Sequence, residues 1–465
     1  MTAVAGLMTI MVLTRHLGPQ EFGYYRTVLT YCAFAAVLAD CGLYMINLRE
    51  MSRAGPEGAA RVAGNALALR FVSTASMLIV AAAFAWTTPY DVTVKWGILI
   101  GAAIYTCLQA SDFLISVFQS VLKQGRNALA EVAGAMTTLA VVWVLAVMTG
   151  AGALPMLGAT LLGAAVAMGI SWRLARRLIT FQLRFDLGLW RHFLIAGLPI
   201  AGAQILGMAM LRGDALLLSL YQPATDVGLY GVPAKLFELA TSIPYQFAGL
   251  MMPALTAGAR NSPQEFRQTL RNSIDAGALY GVAVILALTP FAPQILTLMA
   301  GREFAAGAPA LEIIAFAIAL AGMTHILRFS LVACERPRLV LLGDSVACVC
   351  AFIAYFALIP RFSFVGAALG TVVAEVAALI CMLFGLKRAG RPLPSVVNPL
   401  KAIVSGAIAM GAMILLNRSV EWPWLVTLMI GGGVYVGGLA LTRAIPRDLV
   451  LTVLRRRRVA YQGSA

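Results

Sequence analysis

Charge is what this sequence lacks most. Of 465 residues only 12% are charged, and the 20 acidic ones are outnumbered by 35 Lys and Arg, for a formal net charge of +15. Soluble domains keep about a quarter of their residues charged, so a chain that is 60% hydrophobic with a mean hydropathy of +0.85 reads as a polytopic membrane protein. Histidine is scarce, at three residues, and the seven cysteines lie in or beside apolar runs without forming a CxxC pair. They read as small packing residues, not metal ligands. DxD, HExxH, GxSxG and phosphate-loop patterns are absent, and the loops on the less basic side are no longer than about ten residues. A membrane polymerase, ligase or glycosyltransferase would need room there for acids or histidines. The chain is therefore expected to be no enzyme and to need no cofactor, with a coupling ion or the membrane potential as its energy source. No basic stretch is interleaved with aromatics, which argues against nucleic acid as a partner in spite of the net charge. The first apolar run has neither a basic leader nor a small-residue cleavage site, so insertion by the chain's own helices is expected.

What the sequence does have is long apolar runs. Segments of roughly 17 to 25 apolar residues are long enough to span a bilayer as helices. Fourteen can be read, from 1–14 and 24–46 through to 400–416 and 423–442. The first, at 1–14, would span only about 21 Å against a hydrocarbon core of roughly 30 Å, so the natural chain is expected to begin upstream. The fold class expected is an all-α polytopic membrane protein. Its orientation follows from the loops: 25 of the 35 basic residues fall in one alternating set and six in the other. By the positive-inside rule the richer set is cytoplasmic, which places both termini inside.

A polar hinge, RHLGPQEFGYY from Arg15 to Tyr25, separates the first two runs, with Gly18 and Pro19 as the helix breakers. QPATDVGLY, Gln222 to Tyr230, echoes it between two later runs. Gly23 pairs with Gly228, Phe118 with Phe329 and Gly158 with Gly366, at offsets of 205, 211 and 208 residues. Near-constant offsets point to a duplicated six-helix unit. An even helix number gives both copies the same orientation, so the lobes should be related by an axis along the membrane normal, with a substrate site between them. The divisions read are an N-terminal lobe at 1–175, a cytoplasmic linker at 176–192, a C-terminal lobe at 193–388, an extra helix pair at 400–442 and a basic tail at 443–465. Arg455 to Arg458 in that tail read as a topology anchor for anionic headgroups.

Ionisable residues inside the spans are the candidates for function, because each costs roughly 2.5 to 3.5 kcal/mol at the membrane centre. Arg70, Arg212, Lys235 and Arg328 are the basic ones; Asp40, Asp112, Asp214, Glu238, Asp344 and Glu375 are the main acids. Lys235 and Glu238 lie three apart on one helix face, which suits a local ion pair. Arg212 and Asp214 point about 200° apart, so at least one needs a partner elsewhere. Arg328 shares its face with His325 and has no acid within a turn. Arg70 also lacks a nearby acid, and either a cavity role or snorkelling to the cytoplasmic surface fits it.

Arg15 with LGPQEFGYY, the long apolar helix carrying Asp40-Cys41-Gly42-Leu43, and the later DVGLY segment followed by Ala234-Lys235-Leu236 together resemble the Wzx-type polysaccharide flippases. These belong to the multidrug/oligosaccharidyl-lipid/polysaccharide exporter superfamily. The resemblance covers nearly the whole chain. It implies a flippase that carries a polyprenyl-diphosphate-linked oligosaccharide to the outer leaflet for O-antigen, capsule or exopolysaccharide assembly. It also implies a cationic cavity between two rocking lobes. Arg15 is its best-matched cation, and Arg212, Arg328, Lys235 and Arg70 join it on burial alone. Asp40 matches the family's acid in the second helix, and Asp214 and Glu238 are the other coupling or charge-pair candidates. Guanidinium suits such a substrate because it holds phosphate oxygens bidentately. The partners implied are membrane lipids, the lipid-linked glycan, and polysaccharide polymerase and chain-length machinery. The extra helix pair would offer a groove for a lipid tail. Alternatives are a flippase for a peptidoglycan lipid precursor and a drug or cation antiporter of the same superfamily, the latter expected to lean on buried acids.

Overall fold

The computed structural model describes residues 2–120, 125–178, 185–419 and 423–444. The basic tail beyond 444 and part of the 176–192 linker lie outside these, as do Lys123 and Arg184. Among the described residues the chain is helical, without strands. The helices are α1 (Thr2–Asp40), α2 (Leu43–Thr87), α3 (Val92–Ser120), α4 (Gly125–Met148), α5 (Ala153–Ala175), α6 (Leu187–Tyr221) and α7 (Ala224–Asn261). They continue as α8 (Pro263–Leu288), α9 (Ala292–Ala300), a 3-10 turn at Arg302–Gly307, α10 (Ala308–Ala333), α11 (Pro337–Arg388), α12 (Val397–Ser419) and α13 (Trp424–Leu441).

Among the described residues, eleven helical stretches are long and apolar enough to cross a membrane. The chain is a multi-pass membrane protein. Two of the eleven are bent, one at Gly18, where φ is 67° ahead of Pro19, and one at Ser363, where φ is 49° shortly after Pro360. Glycine tolerates that conformation and proline removes an amide donor, so the helix path changes there without a loop. Helix α7 carries Pro233, Pro244 and Pro253 with Lys235 and Glu238, and is not among the eleven. Counting it, and dividing the bent helices, gives one helical segment for each of the fourteen apolar runs.

The chain forms two compact units, Met1–Gly231 with Leu298–Phe304, and Val232–Thr297 with Ala305–Ala465. The first thus takes in α6 and the start of α7. Its core includes Leu43, Ile46, Met51, Phe113, Phe118 and Phe193, drawn from α2, α3 and α6. One end of this unit gathers around the hinge. His16 bonds the Ala151 carbonyl at 3.0 Å, Glu21 accepts from the Ala153 amide at 2.7 Å, and Phe22 meets Phe304 edge-on. Tyr90, in the α2–α3 loop, shares a 2.9 Å hydrogen bond with Ser219, and burial pushes its hydroxyl up to about 12, which keeps it neutral.

Gly23 sits where α1 crosses the start of α7. A Cβ at Gly23 would overlap the Ala224 carbonyl, and one at Gly228 would overlap that of Pro19. The two echoed motifs therefore touch backbone to backbone. Gly23 lies within α1 and clears space for the crossing. Gly158 and Gly366, the other two glycines matched by offset in the sequence, differ: Gly366 is pressed against the Leu358 carbonyl and Gly158 has open space.

At the other end of the unit, Cys41 (φ 46°) and Gly42 (φ 74°) turn α1 into α2, and Gly197 of α6 closes on that turn. Asp186 caps α6, its Oδ1 accepting from the Gly188 and Leu189 amides, while Oδ2 accepts from Arg61 at 2.9 Å. These bonds, the Leu189 amide first, hold its carboxyl below the ordinary aspartate range.

In the second unit, Leu255, Phe266, Leu270, Leu331, Met382 and Leu386 form a core among α7, α8, α10 and α11. The last two helices dock on α8: Asn398 donates to Asp275 at 2.6 Å and the Tyr435 hydroxyl to the Leu279 carbonyl at 3.1 Å.

Candidate functional site

The first unit holds a cavity of about 660 Å³ lined by three helical stripes and one buried arginine. From α1 come Ala33, Ala36, Val37 and Asp40, with Tyr44 just beyond the turn. From α3 come Tyr105, Leu108, Gln109, Asp112 and Ile115, at spacings of three and four that put them on one face. From α6 come Gln204, Met208, Leu211 and Arg212. Each stripe breaks an apolar helix with a few polar groups, the usual make-up of a ligand cavity.

Arg70 reaches in from α2. It is 3% exposed, lies 2.9 Å from Asp40 and donates to Gln109 Oε1 at 2.5 Å. Gln109 in turn donates to the Ala36 carbonyl at 2.5 Å. The Asp40–Arg70–Gln109 cluster so ties α1, α2 and α3 together within the cavity wall. Arg70 neither snorkels nor stands as an uncompensated cation. Burying two charges together is tolerable because each removes the other's desolvation cost in part.

Other groups also face the cavity. Asp112 is exposed, and makes no hydrogen bond or ion pair among the described residues. Arg212 is half-buried on α6. Gln204 Oε1 is buried without a hydrogen-bond partner. Tyr44 donates to Gln119 at 2.7 Å. The formal charges of Asp40, Arg70, Asp112 and Arg212 sum to zero.

The remaining sequence candidates lie outside the lining of this cavity. Arg15 is exposed and donates to the Leu298 carbonyl at 2.5 Å, fastening the hinge to the segment before the 3-10 turn. Asp214 is 8% exposed; it accepts from the Tyr230 hydroxyl at 2.5 Å and from the Ala215 amide at 2.6 Å. Its partner is thus a phenol sixteen residues on, across the α6–α7 turn. Lys235 and Glu238 pair at 3.0 Å within α7, as their spacing suggested. Arg328 meets Asp344 of α11 at 2.7 Å and His325 Nδ1 at 2.9 Å, and Tyr245 packs edge-on against that histidine.

Sequence reasoning reached Asp40, Arg70, Asp112 and Arg212, but passed over Tyr105, Gln109 and Gln204. The signal for the first two was there. Tyr105, Gln109 and Asp112 repeat at helical spacing along one face of an otherwise apolar span.

The profile of a family described as polysaccharide biosynthesis protein matches residues 1–258. No curated protein matches the chain in sequence. Among solved structures, a lipid II flippase, MurJ, in an inward closed conformation aligns over 97% of this chain and 98% of its own, with a TM-score of 0.81 at 14% identity. An inward-facing multidrug resistance MATE family transporter of the MOP superfamily aligns over 84% and 95%, with a TM-score of 0.66 at 17% identity. A MOP superfamily transporter from Pyrococcus furiosus aligns over 83% and 92%, with a TM-score of 0.52 at 15% identity. At these identities the likeness is one of fold.

Proposed function

The chain belongs to the polysaccharide biosynthesis protein family, and from that premise we propose that it is a flippase for a polyprenyl-diphosphate-linked oligosaccharide, moving it from the cytoplasmic to the outer leaflet. The observation that carries this reading is a cavity of about 660 Å³ inside a bundle of apolar helices long enough to span a membrane, with Arg212 among the few polar groups in its mostly apolar wall. A guanidinium there can take diphosphate oxygens two at a time. Arg70 contributes by holding the wall. Arg15, Lys235 and Arg328, the other cations expected for the diphosphate, lie outside this cavity and make their contacts elsewhere. Transport proceeds by alternating access from the two membrane faces. The protein works in the inner membrane, with both termini cytoplasmic, beside polysaccharide polymerase and chain-length machinery.

Replacing Arg212 tests this. Arg212→Ala should abolish export while the protein still folds, and Arg212→Lys should keep part of the activity, since lysine restores the charge without the fork. The readouts are accumulated lipid-linked glycan by mass spectrometry and thermal unfolding in detergent, on the same variants. Normal export by Arg212→Ala would sink the ligand role; loss of export together with loss of folded protein would assign it to structure.

A second reading, a flippase for a peptidoglycan lipid precursor, is favoured by the fold likeness to the lipid II flippase. The identity of the lipid that accumulates when the gene is deleted separates the two.

A further inference from the structure

We propose that the cavity of the first unit reads the sugar portion of the substrate, with Asp112 as the residue that selects it and Arg212 as the contact to the diphosphate. This rests on the flippase reading above. If the cavity served the diphosphate alone, its ionisable groups should be net cationic. They are not. Asp40 neutralises Arg70 at 2.9 Å, and of the remaining lining charges Asp112 is equal and opposite to Arg212 in the formal count.

A carboxylate facing the cavity repels a diphosphate, yet it is the natural acceptor for sugar hydroxyl or amine donors, since it accepts at two oxygens and donates nothing. The groups around it fit the same ligand. Tyr105 shares the α3 face with Asp112, one hydroxyl and one ring edge or face for a pyranose. Gln204 brings an amide whose Oε1 lacks a hydrogen-bond partner. Apolar side chains, Leu108 and Met208 among them, fill the rest of the wall and can cover the C–H faces of a sugar ring. The ligand class is a hydroxyl-rich or amine-bearing sugar attached to an anionic linker.

The test is binding of two lipids by the purified full chain in nanodiscs: undecaprenyl diphosphate, and the same lipid carrying a single N-acetylhexosamine. Free N-acetylhexosamine serves as a third ligand. Wild-type protein should bind the sugar-bearing lipid at least about tenfold more tightly than the bare one, the scale of one or two hydrogen bonds to a charged group. The free sugar should bind more weakly than either lipid. Asp112→Asn should erase the preference from both directions, losing affinity for the sugar-bearing lipid and gaining it for the bare diphosphate as a repulsive charge is removed. Asp112→Glu, which keeps the charge but moves it, should keep the weak binding of the bare lipid and lose the sugar preference. Arg212→Ala should weaken both lipids by a similar factor. Thermal unfolding of each variant identifies those that fold, and either Asp112 variant suffices. Unchanged preference in a folded Asp112 variant, or equal weakening of both lipids by Asp112→Asn, would overturn the assignment. Failure of the wild-type protein to bind either lipid would instead overturn the flippase reading.

Discussion

Asp40 and Arg70 share one fate. With side chains 8% and 4% exposed, the two are buried together, and neither has enough other partners to stand alone: both carboxylate oxygens of Asp40 and two of the guanidinium nitrogens of Arg70 lack hydrogen bonds. Arg70→Ala should therefore cost about 3 to 5 kcal/mol, the penalty for leaving a buried charge uncompensated. Asp40→Asn combined with Arg70→Met should recover most of that loss, because a buried ion pair is often replaceable by groups that need no counter-charge. Thermal unfolding of the single and double variants measures this. Recovery of stability without recovery of export would place the pair in transport as well as in folding. Arg328 and Asp344, each about a fifth exposed, are the parallel case in the second unit. Partial exposure makes their pairing worth less.

At the scale of helices, α1 and α7 are held by a crossing that depends on two missing side chains. A methyl at Gly23 or Gly228 would overlap a backbone carbonyl of the facing helix, and backbone cannot swing aside as a side chain can. Gly228→Ala should thus destabilise the folded protein by about 1 to 3 kcal/mol, as overpacking does, and Gly158→Ala should be close to neutral. The same unfolding assay decides it; equal tolerance at both positions would remove the crossing as a constraint. The hinge itself was legible in sequence because Gly18-Pro19 is local punctuation, and so was Lys235–Glu238, because three residues of helix fix its geometry. Arg70–Asp40 and Arg328–Asp344 were not legible. Their partners come from other helices, and periodicity within one helix says nothing about which neighbour packs against it. For the same reason Asp112 could be named as a candidate acid but not as a cavity residue until α1 and α6 stood beside it.

For the molecule as a whole, fourteen apolar runs became fourteen helical segments, since chain length and hydropathy alone dictate how often a chain can cross a bilayer. Which end faces the cytoplasm is a further step. Reporter fusions at Pro89 and Gln222 should be exported, and one at Gly390, in the turn between α11 and α12, should stay inside. An exported reporter at Gly390 would invert the orientation, because that turn follows Lys387 and Arg388 and precedes Lys401. Gly23 and Gly228 also bear on the history of the chain. Each occupies the space the other's helix needs, so a larger residue at one site meets the opposite backbone whatever stands at the other. Neither glycine can drift at its position, with or without a change at the other. Segments free to diverge elsewhere would be under purifying selection at both sites independently, and in descendants of this chain each glycine should be kept.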